Sequence, residues 1–394
     1  MKQPISKFMG TFWRQLLAYS LVMVFVGAVL WFHLGTLVPA FSLPELAARA
    51  EASSLHKLLA NPLFLPHKLI QYSFLRLGKS SPFWMRSASA IWSLGIILVF
   101  FDIIREWYSR RIAIMGTLLL LTSAWFLHFA RLGTPTIMLT TSIGLLWVGL
   151  RLRSTAAPRI RTLLASIFIL GVSMYVPGLV WLIVPMLIWQ RHLIWSEFTK
   201  IPKTLAAVTW ALVGIGLAPL VYGLIRHPLL IRDWLMIPSR FSPGLFWSYA
   251  WHIPVWLAVR GPVLPVYWLG HVPMFDSFSV AMALLGIFVL TYYRLLDRVQ
   301  AVAGIIILSL ILTVLNGWLA MTIALPMFFV LVSAGLALFL QQWFTVFPRN
   351  PLARTVGITV VSFVVVLAGY YNLRHYFVAW PRNPDTRQVF NLPS

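Results

Sequence analysis

Two carboxylates in one short stretch pose the first question about this chain. Glu45 and Glu51 belong to a sequence of 394 residues that holds only nine Asp or Glu against 31 Lys or Arg. Both fall between Gly35 and Arg86, in a segment that also carries Asn61-Pro62-Leu63-Phe64-Leu65-Pro66-His67-Lys68. A carboxylate held beside an apolar surface could act as a general base and take a proton from a hydroxyl. Six residues apart on a helix, the two point about 120° away from each other, so they are poorly placed as a paired acid and base. The plainer alternative is two solvated charges on an amphipathic helix. The cations that could join them are Arg49, Lys57, His67, Lys68, Arg86 and Arg131, with Arg232, Arg240 and Arg260 further along. Grouped, they could clamp a phosphate or pyrophosphate, for which the planar Arg fork is suited. Singly, they suit snorkelling to lipid phosphates.

The elements that must position these groups form a membrane frame. Sixty per cent of residues are hydrophobic and 10% charged, with a mean hydropathy of +0.85. Soluble domains carry about 25% charged residues. Continuously apolar runs of span length read as transmembrane helices, not as the alternating strands of a barrel. The expectation is an all-α polytopic membrane protein, one transmembrane domain over 1–394, with about 11 helices. They are placed near 14–34, 83–104, 112–130, 135–151, 160–175, 177–190, 204–225, 278–293, 299–316, 319–341 and 354–372. Lys2, Lys7 and Arg14 precede the first run, which is longer than a signal-peptide core and reads as a retained span.

Two long loops, 35–82 and 226–277, are read as holding amphipathic interfacial helices, and 373–394 as a polar tail. Ser42-Leu43-Pro44-Glu45 is a helix-start signal. The short connections near 102–111, 152–159, 191–203, 294–298 and 342–353 carry Lys or Arg, whereas those near 131–134, 176–178 and 317–318 carry only Arg131 between them. The positive-inside rule then puts the N-terminus inside and both long loops and the tail outside.

Several chemistries lack their residues. There is no cysteine, hence no disulfide and no thiolate site. P-loop, H-E-x-x-H and G-x-S-x-G patterns and zinc-ligand spacings are absent. No cofactor is therefore required by the sequence, while a divalent metal stays open. The net charge of +22 is scattered over helix ends, which fits membrane lipids as partners and not nucleic acid. The expected spans hold almost no charge in their interiors, and His128 there reads as a packed histidine. That argues against a pump or symporter.

Four motifs carry a family resemblance. They are Gly78-Lys79-Ser80-Ser81-Pro82-Phe83-Trp84-Met85-Arg86-Ser87-Ala88-Ser89, His128-Phe129-Ala130-Arg131-Leu132-Gly133-Thr134, and Gly171-Val172-Ser173-Met174-Tyr175-Val176-Pro177-Gly178. The fourth is Pro44-Glu45 followed by Asn61-Pro62-Leu63. In order, over roughly residues 10–190, the chain resembles the membrane half of the C-type (GT-C) glycosyltransferase superfamily. The members most similar in style are the protein O-mannosyltransferases and the lipid A aminoarabinose transferases. The resemblance implies sugar transfer from a polyprenyl-phosphate-linked donor at the outer face of the cell membrane. It makes Glu45 the base, and Lys68 and Arg131 phosphate partners, with Arg49, Glu51, His67 and Arg86 nearby in the substrate site. Pro44 stands where the family usually has Asp, and Thr136 stands in place of an acid. Two alternatives follow from those departures and from hydropathy: an inactive scaffold or lipid-binding protein of the same fold, and a transporter or lipid flippase.

Overall fold

The computed structural model describes residues 20, 22–153, 160–200, 203–240, 242–270 and 272–390. The protein is an all-α polytopic membrane protein. Among the described residues, six helices are long and apolar enough to cross a bilayer, or seven if one bent pair counts as a single span. Four more apolar helices are shorter, Val22–Trp31, Thr162–Met174, Val180–Trp189 and Ser277–Tyr292. The sequence reading of 11 spans counted these with the longer ones. The first expected span and the basic loop near 152–159 lie partly outside the described residues.

The first described helix is α1 (Val22–Trp31), which leads into the first long loop. There α2 (Leu43–Glu51), α3 (Leu55–Ala60) and α4 (Leu65–Arg76) follow each other. Ser42 and Pro44 start α2 as the sequence signal predicts, and Glu45 reaches back to accept the Ser42 N–H at 3.0 Å. Ser54 caps α3, accepting from the Lys57 N–H at 3.3 Å. Helix α4 is not a surface helix. His67, Lys68 and Gln71 are all buried, so its polar face turns inward.

Next come α5 (Pro82–Trp107), α6 (Arg110–Thr122) and α7 (Ala124–Ala130). A single straight span near 112–130 was expected. Instead α6 and α7 meet at 64°. Ser123 adopts a non-helical backbone there, and the freed Ala124 N–H donates to Asn372 Oδ1 at 3.3 Å. Within a bilayer a broken helix persists only where such groups find protein partners. Every residue of α7 is buried. A 3-10 turn, Pro135–Thr141, leads into α8 (Ser142–Arg153).

The middle of the chain holds α9 (Ile160–Met174), α10 (Val180–Trp189), α11 (Arg191–Lys200) and α12 (Lys203–Arg226). The second long loop contains α13 (Leu229–Trp234), α14 (Pro243–Ala258) and a two-stranded ribbon pairing Val263 with Leu269. The last spans are α15 (Ser277–Tyr292), α16 (Asp297–Asn316), α17 (Leu325–Val346) and α18 (Pro351–Arg374). Helix α17 is the centre of the bundle, with 72% of its apolar window buried, against 17% for α12. It packs on α15 through glycines. A Cβ on Gly286 would stand 2.0 Å from the Leu331 carbonyl oxygen, and one on Gly335 would stand 2.0 Å from that of Met282. Small residues allow this approach where apolar burial alone gives no drive between helices.

The segment after α18 departs from the expected polar tail. A π-turn, His375–Ala379, leads through α19 (Trp380–Arg382) to α20 (Pro384–Val389). Tyr376, Trp380, Thr386 and Phe390 are buried in the core. Three bulky side chains at spaced positions, Tyr376, Trp380 and Phe390, carry the packing, so the segment's polar average hid them.

Candidate active site at the clamped first loop

Glu45 lies near the start of α2, with its side chain fully buried. Oε1 accepts from Arg86 Nε at 2.7 Å and from the Gly133 N–H at 2.9 Å. Oε2 accepts from Arg86 Nη2 at 3.0 Å, the Ser42 N–H at 3.0 Å and the Ser42 hydroxyl at 3.1 Å. A carboxylate has about four lone-pair positions, so none is left for a substrate. Burial alone would raise the Glu45 carboxyl. The Arg86 guanidinium and the N–H groups of Gly133 and Ser42 outweigh it and hold the carboxyl below its usual range. Glu45 is thus an ionised and saturated anchor.

Arg86, near the start of α5, completes the clamp. Its remaining donors reach the carbonyls of Leu34 (3.3 Å), Val38 (2.5 Å) and Ala40 (2.8 Å). One guanidinium therefore gathers the end of α1, the turn before α2, and α2 itself onto α5. The small residues Ser87, Ala88, Ser89 and Ala90 behind it are all buried. They let α4 and the turn after α7 come close. Gln71 Nε2 donates to the carbonyls of Met85 (3.1 Å) and Gly133 (2.9 Å). The His67 ring nitrogen Nε2 meets the Ser89 hydroxyl at 2.9 Å, and that hydroxyl donates to the Thr134 carbonyl at 3.1 Å. Burial pushes the His67 imidazole down to about 3, with the Lys68 charge adding to it.

Glu51 has the opposite character. Its side chain is 43% exposed. One oxygen lies 2.6 Å from Lys68 Nζ, and the other faces Asn61 Nδ2 at 3.4 Å. Lys68 is buried and also donates to the Asn61 carbonyl at 3.0 Å. Burial pushes the Lys68 ammonium down, and Glu51 offsets part of that.

Arg131 follows α7 and is buried. It donates to the carbonyls of Val29 and Phe32, each at 2.5 Å, and its guanidinium lies over Phe377 and Tyr376. Arg49 stacks over Phe41 and, among the described residues, meets no carboxylate. It lines an open groove with Leu46, Ser53 and Leu75. Arg49, Lys68 and Arg131 therefore stand on three separate frames. Glu45, Arg86 and the turn after Arg131 are brought together, as are Glu51 and Lys68.

The sequence reading missed Gln71, Gly133, Tyr376 and Trp380. His128 is packed, as read, within an aromatic box of Trp268, Tyr376 and Trp380 at ring distances of 4.8–5.3 Å. For Gln71 a signal was present: it falls on the same face of α4 as His67 and Lys68, which were read as substrate-site residues, and all three are buried.

Both long loops meet at the α9–α10 turn. The Phe64 N–H donates to the Tyr175 carbonyl at 2.8 Å, and the Gly178 N–H donates to the Trp234 carbonyl at 2.8 Å. Gly178 sits at φ +77°, where a side chain would be strained and would strike Met236. Among the described residues no group of three His, Cys, Asp or Glu could hold a metal ion.

Residues 64–222 match the sequence model of a family described as dolichyl-phosphate-mannose-protein mannosyltransferase. The matched segment starts beyond Glu45 and Glu51 and includes Lys68, Arg86 and Arg131. No curated protein sequence matches the chain. Among solved structures, ArnT from Cupriavidus metallidurans in the apo state superposes with a TM-score of 0.56 at 16% identity, over 95% of this chain and 78% of that one. ArnT from the same organism bound to undecaprenyl phosphate gives 0.54 at 17% identity, over 92% and 75%. The clamped first loop thus sits on a membrane frame whose fold is shared with ArnT, and part of that frame, residues 64–222, is similar to the mannosyltransferase family.

Proposed function

We propose that the chain is a glycosyltransferase of the cell membrane that takes a sugar from a polyprenyl-phosphate carrier and passes it to an acceptor hydroxyl at the outer face. The observation that carries this reading is the shared architecture, over 92% of the chain, with a protein solved in complex with undecaprenyl phosphate. In this reading Glu45 is a positioning residue, because all its lone pairs are used by Arg86, Gly133 and Ser42. Glu51 takes the acceptor proton. It is the half-exposed carboxylate of the same loop, and its contact with Asn61 is long. Lys68 Nζ, 2.6 Å away, holds it in place between turnovers. The chemistry needs no cofactor.

The test is release of undecaprenyl phosphate from lipid-linked sugars by the protein in vesicles. Glu51→Gln is expected to lose at least about 100-fold in turnover, the scale of a general base, while keeping carrier binding; its thermal midpoint falls modestly, because the buried Lys68 loses its carboxylate partner. Full turnover in Glu51→Gln would remove the assignment.

A second reading, a non-catalytic lipid-binding scaffold, is favoured by Pro44 at the family's Asp position and by the saturated state of Glu45. It predicts that wild-type protein binds undecaprenyl phosphate yet turns over none of the lipid-linked sugars.

A further inference from the structure

The first long loop is polar on its inner side and apolar on its outer surface. Helix α2 buries Glu45 and Ala48 and exposes Leu43, Leu46, Ala47 and Ala50. Those four exposed residues fall within about 100° of the helix circumference, so they form one face. Helix α4 repeats the inversion: His67, Lys68 and Gln71 point inward, while Leu69 is exposed. Leu55 and Leu59 of α3 are exposed as well. A contiguous apolar face with a polar rim marks a surface that another body covers.

Charge selects that body. Residues 35–86 hold six Lys or Arg and two carboxylates. Both carboxylates are taken by buried cations, Glu45 by Arg86 and Glu51 by Lys68. Arg49, Lys57, Arg76 and Lys79 remain, and among the described residues none of them forms an ion pair. The loop therefore carries four uncompensated positive charges beside its exposed leucines. Its partner must be anionic as well as apolar, which describes a leaflet containing anionic phospholipid.

A groove on the same face is shaped for one such molecule. It encloses about 380 Å³, with Leu46, Ala50 and Leu75 as apolar walls and Arg49 and Ser53 on the polar side. The Arg49 guanidinium is stacked over Phe41, 5.3 Å from the ring centroid. Stacking engages the face of the fork and leaves its N–H edge for a phosphate. The groove is separate from the proposed base. Arg49 and Glu51 are two residues apart on α2, so their side chains point about 160° away from each other.

We propose that this face rests on an anionic leaflet and that the groove between α2 and α4 seats one anionic glycerophospholipid. Its phosphate meets Arg49, and one acyl chain lies along Leu46, Ala50 and Leu75. Lys57, Arg76 and Lys79 face the headgroups around it.

The experiment is photolabelling of the full chain in nanodiscs of equal phosphatidylglycerol and phosphatidylcholine, where one lipid or the other carries a diazirine on an acyl chain. Adducts are mapped by mass spectrometry onto residues 43–53 and 69–77. Phosphatidylglycerol is expected to label these residues over phosphatidylcholine by about fivefold or more, the scale of one basic residue at an anionic lipid surface. Arg49→Gln is expected to bring the two lipids close to parity, with choline-lipid labelling unchanged. Equal labelling in the wild type, or an undiminished preference in Arg49→Gln, would overturn the proposal. Absence of adducts from either lipid would assign the face to a protein partner instead. Displacement of the label by added undecaprenyl phosphate would assign the groove to the carrier and overturn the glycerophospholipid. The readout is lipid contact, so none of these outcomes depends on sugar transfer.

Discussion

Glu45 and Arg86 are 41 residues apart in sequence and close on each other through two hydrogen bonds of 2.7 and 3.0 Å, both side chains nearly sealed from solvent. The pair joins the first long loop to the frame, because Arg86 also holds three carbonyls from the stretch between α1 and α2. Breaking such a pair leaves an uncompensated buried charge, at about 3–5 kcal/mol. Glu45→Gln is therefore expected to lower the thermal midpoint markedly. Arg86→Lys is expected to do the same, since an ammonium cannot make the five bonds of the fork. The double variant Glu45→Leu/Arg86→Met should recover part of the loss. Unfolding followed by tryptophan fluorescence in nanodiscs checks this; a double variant no more stable than either single would contradict it.

The pair also shows what the sequence could and could not say. Glu45, Arg86 and the turn after Arg131 were all legible as one neighbourhood, because a helix-start signal, a small-residue helix entry and a tight turn each have local signatures. Their mutual saturation was not. A carboxylate that accepts a proton and one that accepts five hydrogen bonds have the same letter. The inward polar face of α4 was hidden for a related reason. An amphipathic pattern fixes which residues share a face, not whether that face meets water or a polar seam. The buried tail rests on single large residues, Tyr376, Trp380 and Phe390, which no periodicity announces.

His67 makes stability depend on pH. Its folded-state value lies near 3, against 6.5 for the free side chain. Between those limits the unfolded chain binds a proton that the folded chain refuses. Acidification from about pH 6.5 therefore lowers stability, by about 1.4 kcal/mol per pH unit at most. Glu45 adds a loss in the same direction below its free value of 4.5, because its folded carboxyl is depressed. His67→Gln keeps a partner for Ser89 and is expected to flatten the slope between pH 6.5 and 5. Thermal midpoints at pH 7, 6 and 5 for both proteins measure it; parallel slopes would exclude His67 as the source.

The break between α6 and α7 depends on Asn372. Its amide oxygen receives the Ala124 N–H, and its amide nitrogen donates to Asp276 Oδ2 at 2.9 Å. Asn372→Leu is expected to cost about 1–3 kcal/mol by leaving buried groups unpaired. The damage should be local, with faster hydrogen exchange at residues 123–131 than elsewhere in the bundle. Uniform protection across that segment would show that the break stands without the cap.

Gly335 offers the sharpest test of the bundle's centre. A methyl group there would meet the Met282 carbonyl oxygen at 2.0 Å, well inside any real contact. The obstacle is backbone, so no side-chain rotation relieves it. Helices α15 and α17 must then separate, and the small-residue seam that holds them has no apolar drive to re-form in lipid. Gly335→Ala is expected to destabilise by about 1–3 kcal/mol or more, and Gly335→Val to prevent a folded product. Gly304→Ala, on an exposed face of α16, is the control, since its methyl meets nothing within 4 Å. The comparison is the yield of monodisperse protein after extraction and the thermal midpoint. Equal values for Gly335→Ala and Gly304→Ala would mean that α15 and α17 are not packed at this distance.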